Sequence, residues 1–177
     1  MAALVVYESM YGSTQAIAEA IAEGITPAGP VRVIEVGALA AEPGGSAISG
    51  DVDLLVVGGP THAFGMSRPN TRLEAAKTAP GGSVISSGIG IREWLDSVAL
   101  PVDGTRFATF DTKTVVKVKL PGSAAKAAHK HLRGIGGRPA ADPKTFWVHG
   151  KSDGLVEGEL EAARAWGAEL ASGLVRV

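Results

Sequence analysis

The feature that most constrains the fold is a wholly apolar run, Leu54 to Val57, that ends abruptly in Gly-Gly-Pro. A continuous apolar run of this length is typical of a strand covered on both faces, as in a parallel sheet. Leu4 to Tyr7 is a second run of the same kind. Behind it, Ile17, Ile21 and Ile25 recur four residues apart, which predicts an amphipathic helix. The chain therefore begins as a strand followed by a helix, and a further buried strand comes later.

Strand and helix patterns continue to alternate along the rest of the chain. We predict further strands at Val31 to Val36, at "RFATF" and at "KTFWV", and a long loop from Met66 to Gly90. Further helices are predicted at "GIREWLDSV", after an N-cap at Ser123, and over "VEGELEAARAWGAELASGL". This alternation predicts a single doubly wound α/β domain over residues 1–177, with ligands bound at the carboxyl ends of the strands.

Composition limits the function. The 177 residues contain 17 basic and 18 acidic side chains, so no strong overall charge recruits nucleic acid. No cysteine occurs, which excludes thiolate catalysis and iron–sulfur ligation, and any redox chemistry must come from a bound cofactor. We recognise no metal-ligand spacing and no catalytic triad. Without a secretion signal or a membrane-spanning run, we expect a soluble, cytoplasmic protein that does not insert into membranes.

The first candidate loop, Glu8 to Thr14, carries the parts of a phosphate-binding site. Ser9, Ser13 and Thr14 can donate hydroxyl hydrogen bonds, and Gly12 lets the backbone approach a ligand closely. The loop lacks the lysine of nucleoside triphosphatases and the glycine pattern of dinucleotide sites, so it suits a mononucleotide phosphate held by neutral donors. Alternatively, Ser13 only caps the helix that follows. The other two candidate loops are Gly58 to Arg72 and Asp111 to Gly122.

Three segments of the sequence resemble those of a known family. "ALVVYESMYGSTQAIAEAIAEGI" resembles the phosphate loop and first helix of flavodoxins, which typically read (S/T)-x-T-G-x-T after the first strand. Ser9, Gly12 and Thr14 match that pattern, whereas Tyr11 stands where a threonine is usual. "LLVVGGPTHAFGMSRPNTR" similarly resembles the third strand and second flavin-contacting loop, and "ATFDTKT" lies in the place of the third loop. The resemblance spans nearly the whole chain and points to a flavodoxin-like branch common among actinobacterial proteins.

The resemblance implies a flavodoxin-like three-layer α/β/α sandwich with a five-stranded parallel sheet of order 2-1-3-4-5, and FMN as the cofactor. It places the FMN phosphate at Ser9 to Thr14 and the isoalloxazine ring between Pro60 to Gly65 and Phe110 to Lys113. His62 and the aromatic side chains of these two loops either contact the ring or belong to ordinary loop packing. The cofactor-binding residues so implied are Ser9, Met10, Tyr11, Gly12, Ser13, Thr14, Pro60, Thr61, His62, Ala63, Phe64, Gly65, Phe110, Asp111, Thr112 and Lys113.

The resemblance further implies electron transfer, with the flavin cycling between oxidised, semiquinone and hydroquinone forms. The electrons would pass to a protein redox partner or to a small acceptor such as a quinone. Two alternatives stay open, an FMN-dependent NAD(P)H or quinone reductase and an interaction module that has lost FMN. The near-neutral charge departs from the acidic composition common among flavodoxins. Lys113, Lys117 and Lys119 are candidates for a cation beside the ring, or for the solvated edge of a strand.

Overall fold

One parallel sheet organises the described part of the chain, which is residues 1–62, 65–115 and 121–175 of a computed structural model. Its strands in this part are β1 (Ala3–Tyr7), β2 (Val31–Glu35), β3 (Leu54–Pro60), β4 (Arg106–Thr114), β5 (Arg138–Pro139) and β6 (Lys144–Val148). The strand order is β2-β1-β3-β4-β5, and β6 also pairs with β4. The predicted order 2-1-3-4-5 is confirmed.

Two short strands fill the fifth position of the sheet, where one strand was expected. β5 pairs with Arg106 and Phe107 at the start of β4, and β6 pairs with the last five residues of β4. The predicted strand "KTFWV" is confirmed as β6. β5 has only two residues, one of them Pro139, and so carries no alternating pattern that a sequence can reveal.

Helices cover both faces of the sheet. One face carries α1 (Ser13–Ile25) and α6 (Glu159–Val175), and the other carries α2 (Val36–Ala41), α4 (Ile91–Ser97) and α5 (Ala124–Gly134). The remaining helix of the described chain, α3 (Pro69–Thr78), packs against the loop that follows β1. The three-layer α/β/α sandwich is therefore confirmed.

The apolar run in β3 explains why both faces are covered. Successive strand residues point to opposite faces, so Leu54 and Val56 pack under α1 and α6, while Leu55 and Val57 pack under α4 and α5. All four are fully buried. Burial of each such side chain contributes roughly 1.5–3 kcal/mol. The three isoleucines of α1 are also fully buried, which confirms the predicted amphipathic helix.

Helices α1 and α6 approach closely because glycines line their contact. A Cβ atom on Gly24 would lie 2.0 Å from the Arg164 carbonyl oxygen, and one on Gly167 would lie 2.1 Å from the Ile21 carbonyl oxygen. This close packing holds α1 against α6. Because α1 follows β1 in the chain, its first turn stands at the carboxyl edge of the sheet. Among the described helices, none is both long and apolar enough to cross a membrane.

Two helices were not expected from the sequence. Val36 begins the short helix α2, although its spacing from Val33 suggested that the strand continued to it. The segment Met66 to Gly90 contains α3, where a long loop was predicted. The predicted N-cap is confirmed in α5, because the Ser123 hydroxyl accepts a hydrogen bond from the Lys126 N–H.

Candidate functional site

A cavity of about 350 Å³ opens at the carboxyl edge of the sheet. It brings together residues of all three loops that the sequence singled out. Sequence-predicted site residues that line it are Ser9, Met10, Tyr11, Ser13, Thr14, Pro60, Thr61, His62 and Thr112. The other lining residues are Asn70, Thr71, Glu74, Ala75, Thr114, Val148, Gly150 and Lys151.

The first loop turns sharply at Gly12, whose φ of 100° lies in the left-handed region that favours glycine. Gly12 is the N-cap residue, and α1 begins at Ser13 without a side-chain cap. The alternative that Ser13 caps the helix is therefore wrong. Instead, the Ser9 hydroxyl accepts hydrogen bonds from the N–H groups of Gly12 at 3.1 Å and Gln15 at 3.3 Å. Ser9 thus fastens the loop to the first turn of the helix.

Two backbone donors lie at the start of α1, in residues that line the cavity. Within the described part of the chain, the N–H groups of Ser13 and Thr14 make no hydrogen bond. The Thr14 and Thr112 hydroxyls lie 2.7 Å apart, which links the first loop to the end of β4. Because one of these hydroxyls donates to the other, the second hydroxyl can still donate to a ligand. The first turn of α1 therefore presents an anion-binding arrangement.

Tyr11 does not present its hydroxyl to this arrangement. The Tyr11 hydroxyl donates to the Ala75 carbonyl oxygen at 2.9 Å and lies 3.2 Å from the Thr78 hydroxyl. Both partners belong to α3. The residue that replaces the usual threonine of the flavodoxin pattern therefore binds the first loop to α3, and its ring forms part of the cavity wall.

A second set of bonds fixes the segment after α3 to the same loop. The N–H groups of Ile85 and Ser86 donate to the carbonyl oxygens of Met10 and Ser9, at 3.1 and 2.8 Å. The Ser9 N–H donates in turn to the Ser86 hydroxyl at 2.9 Å. Asn70, Thr71, Glu74 and Ala75 of α3 form one wall of the cavity. A sequence signal for α3 did exist, because Pro69 at the first helical position precedes the helix-favouring "LEAAK".

The second loop turns back at His62. The N–H of His62 donates to the Gly65 carbonyl oxygen at 2.8 Å, and the N–H of Gly65 donates to the His62 carbonyl oxygen at 2.7 Å. The predicted site residues Ala63 and Phe64 lie outside the described residues. Burial lowers the pKa of His62, and the charges of Arg72 and Lys151 lower it further. The cavity therefore favours a neutral imidazole.

Behind the first loop lies a charged cluster that we call the Glu8 cluster, made of the buried residues Glu8, Ser67 and Arg72 and the partly exposed Glu93. The Glu8 Oε2 atom accepts the Ile91 N–H at 2.8 Å, while Oε1 has no hydrogen-bond partner among the described residues. The Arg72 guanidinium donates to the Ser67 hydroxyl at 2.8 Å and pairs with Glu93 at 3.1 Å. The cluster joins the end of β1 to α3 and α4.

Burial raises the pKa of Glu8, against the opposing effects of the Ser67 and Ile91 hydrogen bonds and of the Arg72 charge. Burial alone would raise the pKa of Glu93 as well. There, the Gly90 N–H bond and the Arg72 guanidinium outweigh burial and lower the pKa. The cluster therefore holds one carboxyl group that retains its proton more readily than usual and one that loses it more readily.

Phe110 lies in the core and does not line the cavity, contrary to the prediction that it could contact a ring there. Its side chain is fully buried and packs edge-on against Phe146, with ring centroids 6.2 Å apart. It also lies directly beneath Gly58, where a Cβ atom would come within 2.2 Å of the ring. The physical reason is that Phe110 lies in the middle of β4, which continues to Thr114, so its side chain packs beneath α1 and α6 instead of at the carboxyl edge.

Asp111 also turns its side chain away from the cavity, into a buried hydrogen-bond network that we call the Asp111 network. Its Oδ2 accepts from the Thr61 hydroxyl at 2.8 Å, the Ser123 hydroxyl at 2.6 Å and the Ala125 N–H at 3.1 Å. Its Oδ1 accepts from the Thr145 hydroxyl at 2.7 Å. The network anchors Thr61, which lines the cavity, to the start of α5.

The remaining predicted site residues have other placements. Lys113 donates to the Gly122 carbonyl oxygen at 2.8 Å and does not line the cavity. Lys117 and Lys119 lie outside the described residues. Gly12 and Gly65 shape the loops without lining the cavity. Sequence reasoning missed the lining residue Lys151, because it lies in a turn after β6 with no local pattern that marks a binding residue.

Comparison with known proteins gives matches only among solved structures, because no family model and no curated protein matches this chain. A flavodoxin from the domain Archaea is 20% identical, with a TM-score of 0.65 over 99% of this chain and 100% of that one. Oxidised flavodoxin 1 from Bacillus cereus is 16% identical, with a TM-score of 0.65 over 97% of this chain and 98% of that one.

A larger protein also contains this architecture. The Flv1 flavodiiron core from Synechocystis sp. PCC6803 is 18% identical, with a TM-score of 0.64 over 99% of this chain. The match covers 36% of that protein. At sequence identities of 16–20%, these similarities establish the fold alone. The observed strand order is that of the predicted flavodoxin-like sheet. The chain therefore has the flavodoxin-like α/β/α fold.

Proposed function

We propose that this protein is an FMN-binding, flavodoxin-like electron-transfer protein. The observation that carries the proposal is the cavity that residues of all three loops line at the carboxyl edge of the sheet. In doubly wound α/β folds, ligands bind at this edge. The solved structures that this chain resembles include flavodoxins, and they support a flavin site only through the shared fold.

The size and chemistry of the cavity fit such a cofactor. Its volume of about 350 Å³ falls in the range of roughly 300–1,000 Å³ that is usual for ligand sites. At one end, the open N–H groups of Ser13 and Thr14 and the buried Ser9 and Thr14 hydroxyls supply neutral donors for a phosphate. Toward the other loops, Pro60, His62 and several apolar atoms offer surface for a planar ring.

The chain would hold FMN with residues of its first loop and of the carboxyl ends of β3 and β4. Ser9, Ser13 and Thr14 would bind the phosphate, and Thr61, His62 and Thr112 would face the rest of the molecule. When bound, FMN itself supplies the one- and two-electron chemistry. The protein's part is to position the cofactor on a rigid support, which the Asp111 network provides by fixing the Thr61 side chain.

The proposal is tested by titrating purified protein with FMN and recording the visible absorption and the quenching of flavin fluorescence. Ser13→Asp places a carboxylate where the phosphate would bind, and we expect it to weaken FMN binding by roughly tenfold or more. An acidic residue in the first turn favours a helix, so this variant should remain folded. Ser49→Asp, at an exposed position outside the cavity, is the matched control and should bind FMN normally.

The outcomes also separate the alternatives. A protein that binds FMN and oxidises NADH or NADPH by itself would be a reductase instead of a simple carrier. A protein that binds FMN but needs another protein for reduction would support the carrier. If the protein ignores FMN, the cofactor proposal fails and an interaction module becomes the better explanation.

A further inference from the structure

The charges that line the cavity do not balance. Besides Tyr11, its ionisable side chains in the described chain are His62, Glu74 and Lys151. The Glu74 carboxylate has its own counterion, because Lys77 Nζ lies 2.7 Å from its Oε1. His62 favours its neutral form, because burial lowers its pKa. Lys151, at the exposed rim of the cavity, therefore carries the one charge of these three that no neighbour offsets.

Lys151 has no carboxylate partner within 4.0 Å in the described part of the chain. The residues outside that part contain no aspartate or glutamate either. The Lys151 ammonium group also acts on the cavity itself, since its charge helps to lower the pKa of His62. A cation placed in this way favours an anionic ligand.

The position of Lys151 in the fold indicates which end of the cavity receives this charge. Lys151 belongs to the segment between β6 and α6, and α6 packs against α1. Its neighbour Ser152 borders a hollow that Met10 and Tyr11 of the first loop also line. This segment therefore lies beside the first loop, where the N–H groups of Ser13 and Thr14 are open.

We propose that Lys151 binds the phosphate end of the cofactor and makes the site selective for a phosphorylated flavin over riboflavin. The inference rests on the proposed function and extends it. The first loop contains no basic residue, and the sequence therefore suggested a site of neutral donors only. The tertiary structure adds one cation from a segment more than a hundred residues away. Hydrogen bonds that involve a charged partner are stronger than neutral ones, so this residue adds to the discrimination that the neutral donors provide.

The test compares dissociation constants for FMN and riboflavin, which share the ring and differ in the phosphate. For Lys151→Met we expect FMN binding to weaken roughly tenfold and riboflavin binding to stay within about twofold of the native value. Lys151→Arg should recover most of the FMN affinity, because it restores the charge. Lys130→Met, at an exposed position on α5, is the matched control and should bind both flavins normally. Equal losses for both flavins, or no loss for FMN, would overturn the inference.

A second measurement keeps the inference separate from the cofactor proposal. Inorganic phosphate should raise the thermal unfolding midpoint of the native protein more than that of Lys151→Met. If the native protein binds neither flavin but shows this difference, the FMN proposal fails and the anion site stands. If it binds neither flavin and phosphate stabilises both proteins equally, both proposals fail.

Discussion

Glu8 and Asp111 are both buried carboxyl side chains near the carboxyl edge of the sheet, yet their surroundings differ. Glu8 is 1% exposed and Asp111 is fully inaccessible. Asp111 accepts four hydrogen bonds from Thr61, Ser123, Ala125 and Thr145. Glu8 accepts hydrogen bonds from the Ile91 N–H and from Ser67, lies near the Arg72 charge and leaves its Oε1 atom without a partner in the described chain.

The difference teaches that a buried carboxyl group can be accommodated in two ways. Several short-range donors satisfy its lone pairs directly, as in the Asp111 network. A neighbouring charge offsets part of the burial penalty over a longer range, as in the Glu8 cluster. The second arrangement depends on one cation, Arg72, and leaves the Glu8 carboxyl group able to take up a proton. We therefore expect the two sites to respond differently to mutation and to pH.

The largest expected effect belongs to the Glu8 cluster. Arg72→Met removes its cation and leaves the buried Glu8 and the partly exposed Glu93 without it, which should lower the free energy of unfolding by about 3 kcal/mol. Urea unfolding measures this loss. Arg133→Met, at an exposed position on α5, should cost less than about 0.5 kcal/mol. A loss below about 1 kcal/mol for Arg72→Met would mean that the cluster is not a strongly coupled unit.

A smaller loss is expected in the Asp111 network. Asp111→Asn keeps the size of the side chain but replaces charge-assisted hydrogen bonds by neutral ones, so we expect a loss of about 2 kcal/mol. The Thr145 hydroxyl can rotate to accept from the new amide, which limits the damage. The exposed Asp96→Asn serves as the control in the same urea experiment. Equal stabilities of the two variants would argue against the network as an anchor for Thr61.

The smallest effect is a change in the pH dependence of stability. Burial raises the pKa of Glu8 above its unfolded value, so the folded state binds this proton more tightly than the unfolded state. Below the pKa that Glu8 has in the unfolded state, the stability contributed by this proton is fully present. It is lost as pH rises through the higher pKa that Glu8 has in the folded state, by up to about 1.4 kcal/mol per pH unit. Glu8→Gln cannot titrate and should lack this loss.

The measurement is the unfolding free energy of the native protein and Glu8→Gln at several pH values from 4 upward. The difference between them should move in favour of the variant as pH rises. The exposed Glu169→Gln on α6 should run parallel to the native protein. Parallel curves for Glu8→Gln as well would mean that Glu8 keeps the same pKa on folding.

The sequence predicted most of the architecture and part of the site. The apolar runs at Leu4 and Leu54 and the isoleucines of α1 gave the strands and the helix correctly, because their periodicity directly reports burial. Ser9 and Thr14 were found because a loop between a buried strand and a helix must lie at the carboxyl edge of the sheet. The prediction for Phe110 is wrong, because β4 continues to Thr114, beyond the point at which the sequence predicts a loop.

By itself, then, the sequence determined the alternation of buried strands and helices and which loops meet at one edge of the sheet. Its resemblance to flavodoxins also gave the sheet order. Those properties depend on local periodicity and on neighbouring residues. Only the tertiary structure decided that Tyr11 binds α3, that Arg72 is buried beside Glu8, and that Lys151 joins the cavity. These contacts join residues far apart in the chain. Their formation depends on how the elements pack in three dimensions, which no local pattern encodes.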